Sequence, residues 1–194
     1  MAFSSYESEQ IRKALLKEAR RWAVTAGMRK TSVEQLTEAV GISKGSFYKF
    51  YESKELLFFA VLEDIHTELY EVARKVLAEQ TKQPAARRAE MTLLAVCRQL
   101  FDTGAMHFIE NDAEYLLRRL PPEVKTEHYH DDETHICTLL QESGLMPQGG
   151  IPLAAAVVRG LILTVSHQEK IGALYPEVLQ ILVRGAMQEL FPDK

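Results

Sequence analysis

Glycine and proline are scarce, with 10 and 7 in 194 residues, and the stretches between them run long with helical spacing. That scarcity points to an all-α protein. Cysteine is scarcer still. Cys97 and Cys137 stand far apart without CxxC spacing, which excludes a disulfide framework and suits a reducing compartment. No continuous apolar core opens the chain, so no secretory leader is expected. The most apolar segment, Ile151 to Val165, is interrupted by Arg159 and is shorter than a bilayer crossing, so no membrane partner is expected either. Repeats and low-complexity tracts are absent, as is any HExxH pair or recognisable nucleophile with a paired general acid. A metal-dependent enzyme is therefore poorly supported, no cofactor is expected, and the cytoplasm is the expected location.

What is present is an ordinary globular mixture, 46% hydrophobic and 26% charged, which is enough apolar material for a core. The net charge of −4 is unevenly placed. Up to Lys54 there are 10 Lys and Arg against 6 Asp and Glu; from Glu55 onward there are 13 against 21. A basic head on an acidic body suits local contact with phosphates better than general stickiness.

Spacing and punctuation predict about nine helices. The first runs from about Ser8 to Thr25, with Ile11, Leu15, Ala19, Trp22 and Ala26 on one face and Gly27 as a left-handed C-cap. The second opens at Thr31 or Ser32, with Glu34 or Gln35 completing a capping box; it turns Val33, Leu36, Ala39 and Val40 inward and stops at Gly41. Ser43 caps a short third helix and Ser53 a long fourth, reaching about Gln80. Further helices are expected from Pro84 to near Gly104, from Ala105 to Leu120, from Pro121-Pro122 to Gly144, from Pro152, and from Pro176 to about Phe191.

The informative stretch is Thr31 to Leu57, TSVEQLTEAVGISKGSFYKFYESKELL. Two short helices joined by a tight glycine turn form a helix-turn-helix, whose second helix enters the major groove. Gly41 permits the sharp turn, Ile42 plugs the core beneath it, and Phe47 anchors the second helix. Ser43, Lys44, Gly45, Ser46, Tyr48 and Lys49 are left to face the groove. The run Gly41-Ile42-Ser43-Lys44-Gly45-Ser46-Phe47-Tyr48-Lys49-Phe50-Tyr51-Glu52-Ser53-Lys54-Glu55-Leu56-Leu57 resembles the signature of TetR-family transcriptional regulators. The likeness covers the first third of the chain; the remainder agrees in length and helix count. Two positions depart from the pattern. Phe50 stands where a Tyr or His is usual, leaving Tyr51 to offer a hydroxyl, and Thr37 replaces a common Ala at the helix–helix contact.

The resemblance implies a three-helix head, residues 1–52, and a six-helix effector-binding and dimerisation body, residues 53–194. It implies a repressor that binds a palindromic double-stranded operator as a homodimer and is released by a small-molecule effector of unknown identity. Thr31 or Ser32 would hold a phosphate at a helix N-terminus. Lys44, Ser46 and Tyr48 would meet bases or sugar–phosphate, with Gly45 allowing close approach, while Lys49 and Lys54 would meet phosphates. Against these stand a half-buried aromatic for Tyr48 and a solvated helix-end lysine for Lys54.

In the body, the faces Leu153, Val157, Leu161 and Val178, Ile181, Leu182, Met187, Leu190 are expected to pack against a twin, with intrachain core as the competing reading. Candidate effector-pocket walls are Phe101, Met106, His107, Phe108, Tyr115, His128, His135 and Cys137, against plain core. His128, Asp131 or Asp132, and His135 recur on one helix face at three- and four-residue intervals, which also permits a metal; ligand-lining polar groups or solvated charges compete with that reading. An adaptor that has lost DNA binding is the remaining alternative, and the intact Lys44–Tyr48 run argues against it.

Overall fold

A computed structural model describes residues 3–192, with the backbone alone at 129–133. The protein is all-α, and no strand occurs among the described residues. The chain forms two compact units, the first comprising residues 1–66 with 103–122 and the second 67–102 with 123–194. This division differs from the expected head and body, because the segment 103–122 joins the first unit.

The first unit begins with α1 (Ser5–Ala23), opened by a capping box between Ser4 and Glu7. A 3-10 turn, Met28–Lys30, leads to α2 (Val33–Val40) and α3 (Lys44–Phe47). The long α4 (Lys54–Glu79) follows. Leu15, Ala19, Met28, Leu36, Phe47, Leu57, Phe58 and Val61 make a fully buried core. The segment 103–122 contributes α6 (Ala105–Phe108), a π turn at Ile109–Ala113 and α7 (Glu114–Arg119), with Phe108 packed 6.0 Å from Phe58 between ring centres. The helix expected over 105–120 is continuous from Ala105 to Arg119 and widens into a π turn in its middle.

Gly27 does not act as the expected left-handed cap. The first helix ends at Ala23, and Gly27 adopts φ 86°, ψ 159°, a region open essentially to glycine alone. Its reason is tertiary. A Cβ there would lie 2.6 Å from Oδ2 of Asp112, which belongs to the π turn. Asp112 is 1% exposed and accepts the backbone N–H of Met28 at 2.7 Å and Nε of Arg29 at 3.0 Å. A carboxylate 84 residues away holds the turn that enters α2.

In the second unit, α5 (Ala85–Asp102) buries Ala89, Leu93, Val96, Cys97 and Leu100 against α11 (Tyr175–Leu190). The facing stripe on α11 is Tyr175, Leu179, Val183, Met187 and Leu190. Around them lie α8 (Pro122–Ser143), α9 (Ile151–Leu163) and a short α10 (Gln168–Ile171). The helical run from Ile151 to Ile171 is 21 residues, so by length and hydropathy it is longer than expected and reaches a bilayer's span. It carries Arg159, Glu169 and Lys170, and its backbone tightens into a 3-10 turn at Thr164–His167.

Candidate nucleic-acid interface

The local chemistry of the two short helices follows from their caps. Ser32, not Thr31, caps α2: its hydroxyl accepts from Gln35 N–H at 3.2 Å, and the Gln35 side chain accepts from Ser32 N–H at 2.8 Å. Gly41 closes α2 at φ 77°, ψ 30°, the left-handed conformation that glycine adopts without steric cost. Ser43 then caps α3, accepting Ser46 N–H at 3.2 Å, with the two hydroxyls 2.9 Å apart.

One expectation about packing changes: Ala39, expected inward, faces outward. Thr37 takes the buried helix–helix position expected of it. Its hydroxyl bonds back to the carbonyls of Val33 and Glu34, both at 3.0 Å, so the polar group is satisfied and the methyl packs.

Phe47 is fully buried, so α3 presents its other sides outward. Ser43, Lys44, Gly45, Tyr48 and Lys49 are exposed and Ser46 is half-buried. Tyr48 is 51% exposed, its ring edge-on to Phe47 with centres 5.3 Å apart. Lys49 stands over the ring of Phe3 at 5.8 Å. Lys44 pairs with Glu34 of α2 at 2.5 Å. Gly45 has an ordinary φ, and a Cβ there would meet nothing closer than 4.0 Å. Nothing inside the fold requires this glycine, although it weakens a helix by about 1 kcal/mol relative to alanine.

The remaining residues expected at DNA are placed differently. Thr31 is 2% exposed, and its hydroxyl donates to the Gly27 carbonyl at 2.8 Å. The Lys54 ammonium donates to the carbonyls of Met28 at 3.0 Å and Thr31 at 2.8 Å, so it ties down the same turn that Asp112 holds. Tyr51 is half-buried, packed 6.1 Å from Phe47 with Arg12 over its ring, and burial pushes its phenol upward. Phe50 is buried beside Phe3. The signals for Thr31 and Lys54 were ambiguous in sequence because capping serines, threonines and helix-end lysines serve backbone and phosphate equally well.

The expected pocket residues divide between the units. In the first, Met106 and Phe108 are core, His107 is exposed beside Asn111, and Tyr115 lies at the surface between Arg29 and Arg119. In the second, Phe101 is exposed, His128 buried, Cys137 half-buried, and His135 lies 4.7 Å from the Tyr70 ring. The Asp131 and Asp132 side chains, expected as possible metal ligands, lie outside the described residues. A groove of about 180 Å³ in the second unit is lined by Arg74, Leu77, Ala78, Thr81, Arg88, Leu139, Glu142 and Ser143, none of them an expected wall residue.

Of the expected dimer residues, Met187 and Leu190 are buried in their own chain against α5, whereas Leu153, Ile181 and Leu182 are exposed and Val157, Leu161 and Val178 half-buried. Structure adds Leu163 and Leu174 to the exposed set.

A family model described as bacterial regulatory proteins, tetR family, matches residues 15–61. A comparison with curated protein sequences gave no match. Among solved structures, a TetR/AcrR transcriptional regulator from Thermobifida fusca YX-ER1 is similar at 22% identity and TM-score 0.62, covering 91% of this chain and 96% of the other. RolR, in complex with resorcinol, is similar at 20% identity and TM-score 0.62, covering 96% and 90%. The superantigen PfiT is similar at 21% identity and TM-score 0.69, covering 96% and 98%. At these identities the likenesses show a fold, and a fold hosts more than one function. Residues 15–61, with their capped helix pair and outward-facing α3, match the DNA-binding head of bacterial regulatory proteins of the tetR family, and the chain as a whole shares the fold of the solved regulators.

Proposed function

We propose that the chain is a repressor that binds a palindromic operator as a homodimer in the cytoplasm and is released by a small organic effector held in the C-terminal helical region. The observation that carries the DNA reading is α3 itself. Phe47 anchors it, Ser46 is half-buried, Lys44, Gly45, Tyr48 and Lys49 face outward, and Gly45 lacks an internal purpose. A glycine that the fold does not need is explained by close approach of a backbone from outside. Ser32 and the free N–H groups of α2 supply a phosphate seat, while Lys44, Ser46, Tyr48 and Lys49 supply base and phosphate contacts.

The same logic supports the dimer. Leu153, Ala156, Gly160 and Leu163 form an outward stripe on α9, and Leu174, Val178, Ile181 and Gly185 form one along α11. A Cβ at Gly160 or Gly185 would meet nothing within 4 Å. Apolar stripes each carrying an unneeded glycine suit close helix crossing with a second copy, and a two-fold dimer matches a palindrome. The resorcinol complex of RolR supports a small-molecule sensor in this fold. The superantigen neighbour covers 96% of this chain, so the fold alone, head included, does not choose between functions, and the outward side chains of α3 carry the reading.

Selection from a random duplex library, with a Lys44→Ala, Tyr48→Ala double variant alongside, tests the reading. One enriched palindrome, lost in the variant, is expected. No enrichment at low salt from folded, dimeric protein would refute DNA binding. A promoter-reporter assay with the recovered palindrome then fixes the sign, since a rise in transcription would make the protein an activator.

A further inference from the structure

We propose that Glu34 is a specificity-determining residue that masks Lys44, keeping the ammonium from engaging phosphates indiscriminately. The inference rests on the reading of α3 as the groove helix.

The two residues come from different helices. Glu34 lies in the first turn of α2, two positions after its cap, and Lys44 opens α3. Their charged atoms are 2.5 Å apart, and each side chain is more than half exposed. An ion pair this exposed contributes little to folding, so the fold does not need it. Its location has another consequence. The first turn of α2 is where unpaired N–H groups and the capping Ser32 would receive a phosphate. A carboxylate already sits in that electropositive zone, bonded to the nearest lysine. The pair is mutual: Lys44 holds Glu34 below the usual carboxylate range, and Glu34 raises Lys44.

A phosphate approaching this corner must therefore displace a like-charged group from Lys44. Non-specific binding draws essentially all its free energy from phosphate neutralisation, whereas a specific site adds contacts to base edges. The carboxylate penalises any complex in which Lys44 takes a backbone phosphate, which is what random sequence offers, and not one in which Lys44 reaches a base edge with Glu34 still beside it. That is discrimination by a repulsive element, not by an added attraction. The head carries a net positive charge up to Lys54, and without such an element it would favour any duplex.

The test uses the full-length protein and a random-sequence duplex, with binding followed by fluorescence anisotropy between 50 and 200 mM salt. The proteins are wild type, Glu34→Gln, Lys44→Ala and the double variant, each checked for helicity by circular dichroism. Glu34→Gln is expected to tighten random-duplex binding several-fold and to steepen the log–log salt slope by about one per head. Lys44→Ala is expected to weaken binding, and Glu34→Gln in that background to gain much less. If Lys44→Ala weakens binding but Glu34→Gln changes neither affinity nor slope, masking is overturned and the groove reading stands. An equal gain from Glu34→Gln in both backgrounds would also overturn masking, since Glu34 would then act as a general negative charge. If Lys44→Ala leaves duplex binding unchanged even in the Glu34→Gln background, where the ammonium is unmasked, the groove reading fails and takes the masking with it.

Discussion

Replacing Asp112 by alanine tests whether one distant carboxylate holds the entrance to the DNA-binding helices. The Asp112 side chain is buried, as is Met28, whose N–H it accepts at 2.7 Å. Alanine leaves that N–H without a partner and without water, a loss of about 1–3 kcal/mol. The second contact, to Arg29, contributes less. Arg29 is 56% exposed, so at most about 1 kcal/mol is expected from it. Together the loss is about 1–4 kcal/mol, which for a chain of this size lowers Tm by roughly 2–16 °C. Thermal unfolding followed by circular dichroism at one fixed protein concentration measures it, because self-association makes Tm concentration-dependent. Asp112→Asn, which can still accept from Met28, should lose less than Asp112→Ala. Arg29→Ala should lose less again. Gly27→Ala should be at least as damaging as Asp112→Ala, since its Cβ meets the carboxylate at 2.6 Å in a backbone conformation closed to alanine. A Tm for Asp112→Ala within about 1 °C of wild type, or an equal loss from Arg29→Ala, would refute this account of the turn.

Lys54→Met should lower stability by about 1–3 kcal/mol, because the carbonyls of Met28 and Thr31 lose their charged donor. Its DNA salt slope should stay unchanged, unlike that of Lys44→Ala; a slope lowered by about one per head would mean that Lys54 meets a phosphate after all. Ile181, 68% exposed, lies at the proposed dimer face, where burying it in both copies is worth about 3 kcal/mol. Ile181→Asp should therefore weaken dimerisation at least about 100-fold in sedimentation velocity, and an unaltered dimer would move the interface elsewhere. Burial pushes the Cys97 thiol up to about 12 from its ordinary 9.0, so iodoacetamide at neutral pH should label the half-buried Cys137 first. Because the raised value favours the neutral thiol in the folded state, this contribution to stability is intact below pH 9 and declines as pH rises toward 12. Equal labelling of both cysteines in folded protein would contradict the burial of Cys97.

Much of the head was legible before any coordinates. Ser43 and Gly41 act as the sequence suggests, because a cap or a left-handed turn involves atoms within a few residues of one another. The helix starts near Ser32, Ser53, Pro122 and Ile151 were readable for the same reason, as was Phe47 as the anchor. The outward run from Ser43 to Lys49 follows from one apolar residue in a short helix. Three-residue and four-residue periodicity also marked a broad apolar face on each of the last two long helices.

Periodicity does not say which apolar face turns inward. Met187 and Leu190 are buried, and Ile181 is exposed, only because α5 packs against one side of α11. Thr31 and Lys54 carry groups that suit a phosphate, but the fold directs them to backbone carbonyls. Ala39, expected inward, faces outward, while Thr37 alone of the two is covered when α2 docks. Gly27 read as an ordinary helix stop, and its actual constraint is Asp112, 85 positions along the chain. Local hydrogen bonds and hydrophobic period are encoded over a few residues and survive in any context. Which donor meets which acceptor across tens of residues is settled only when the helices dock and exclude water between them.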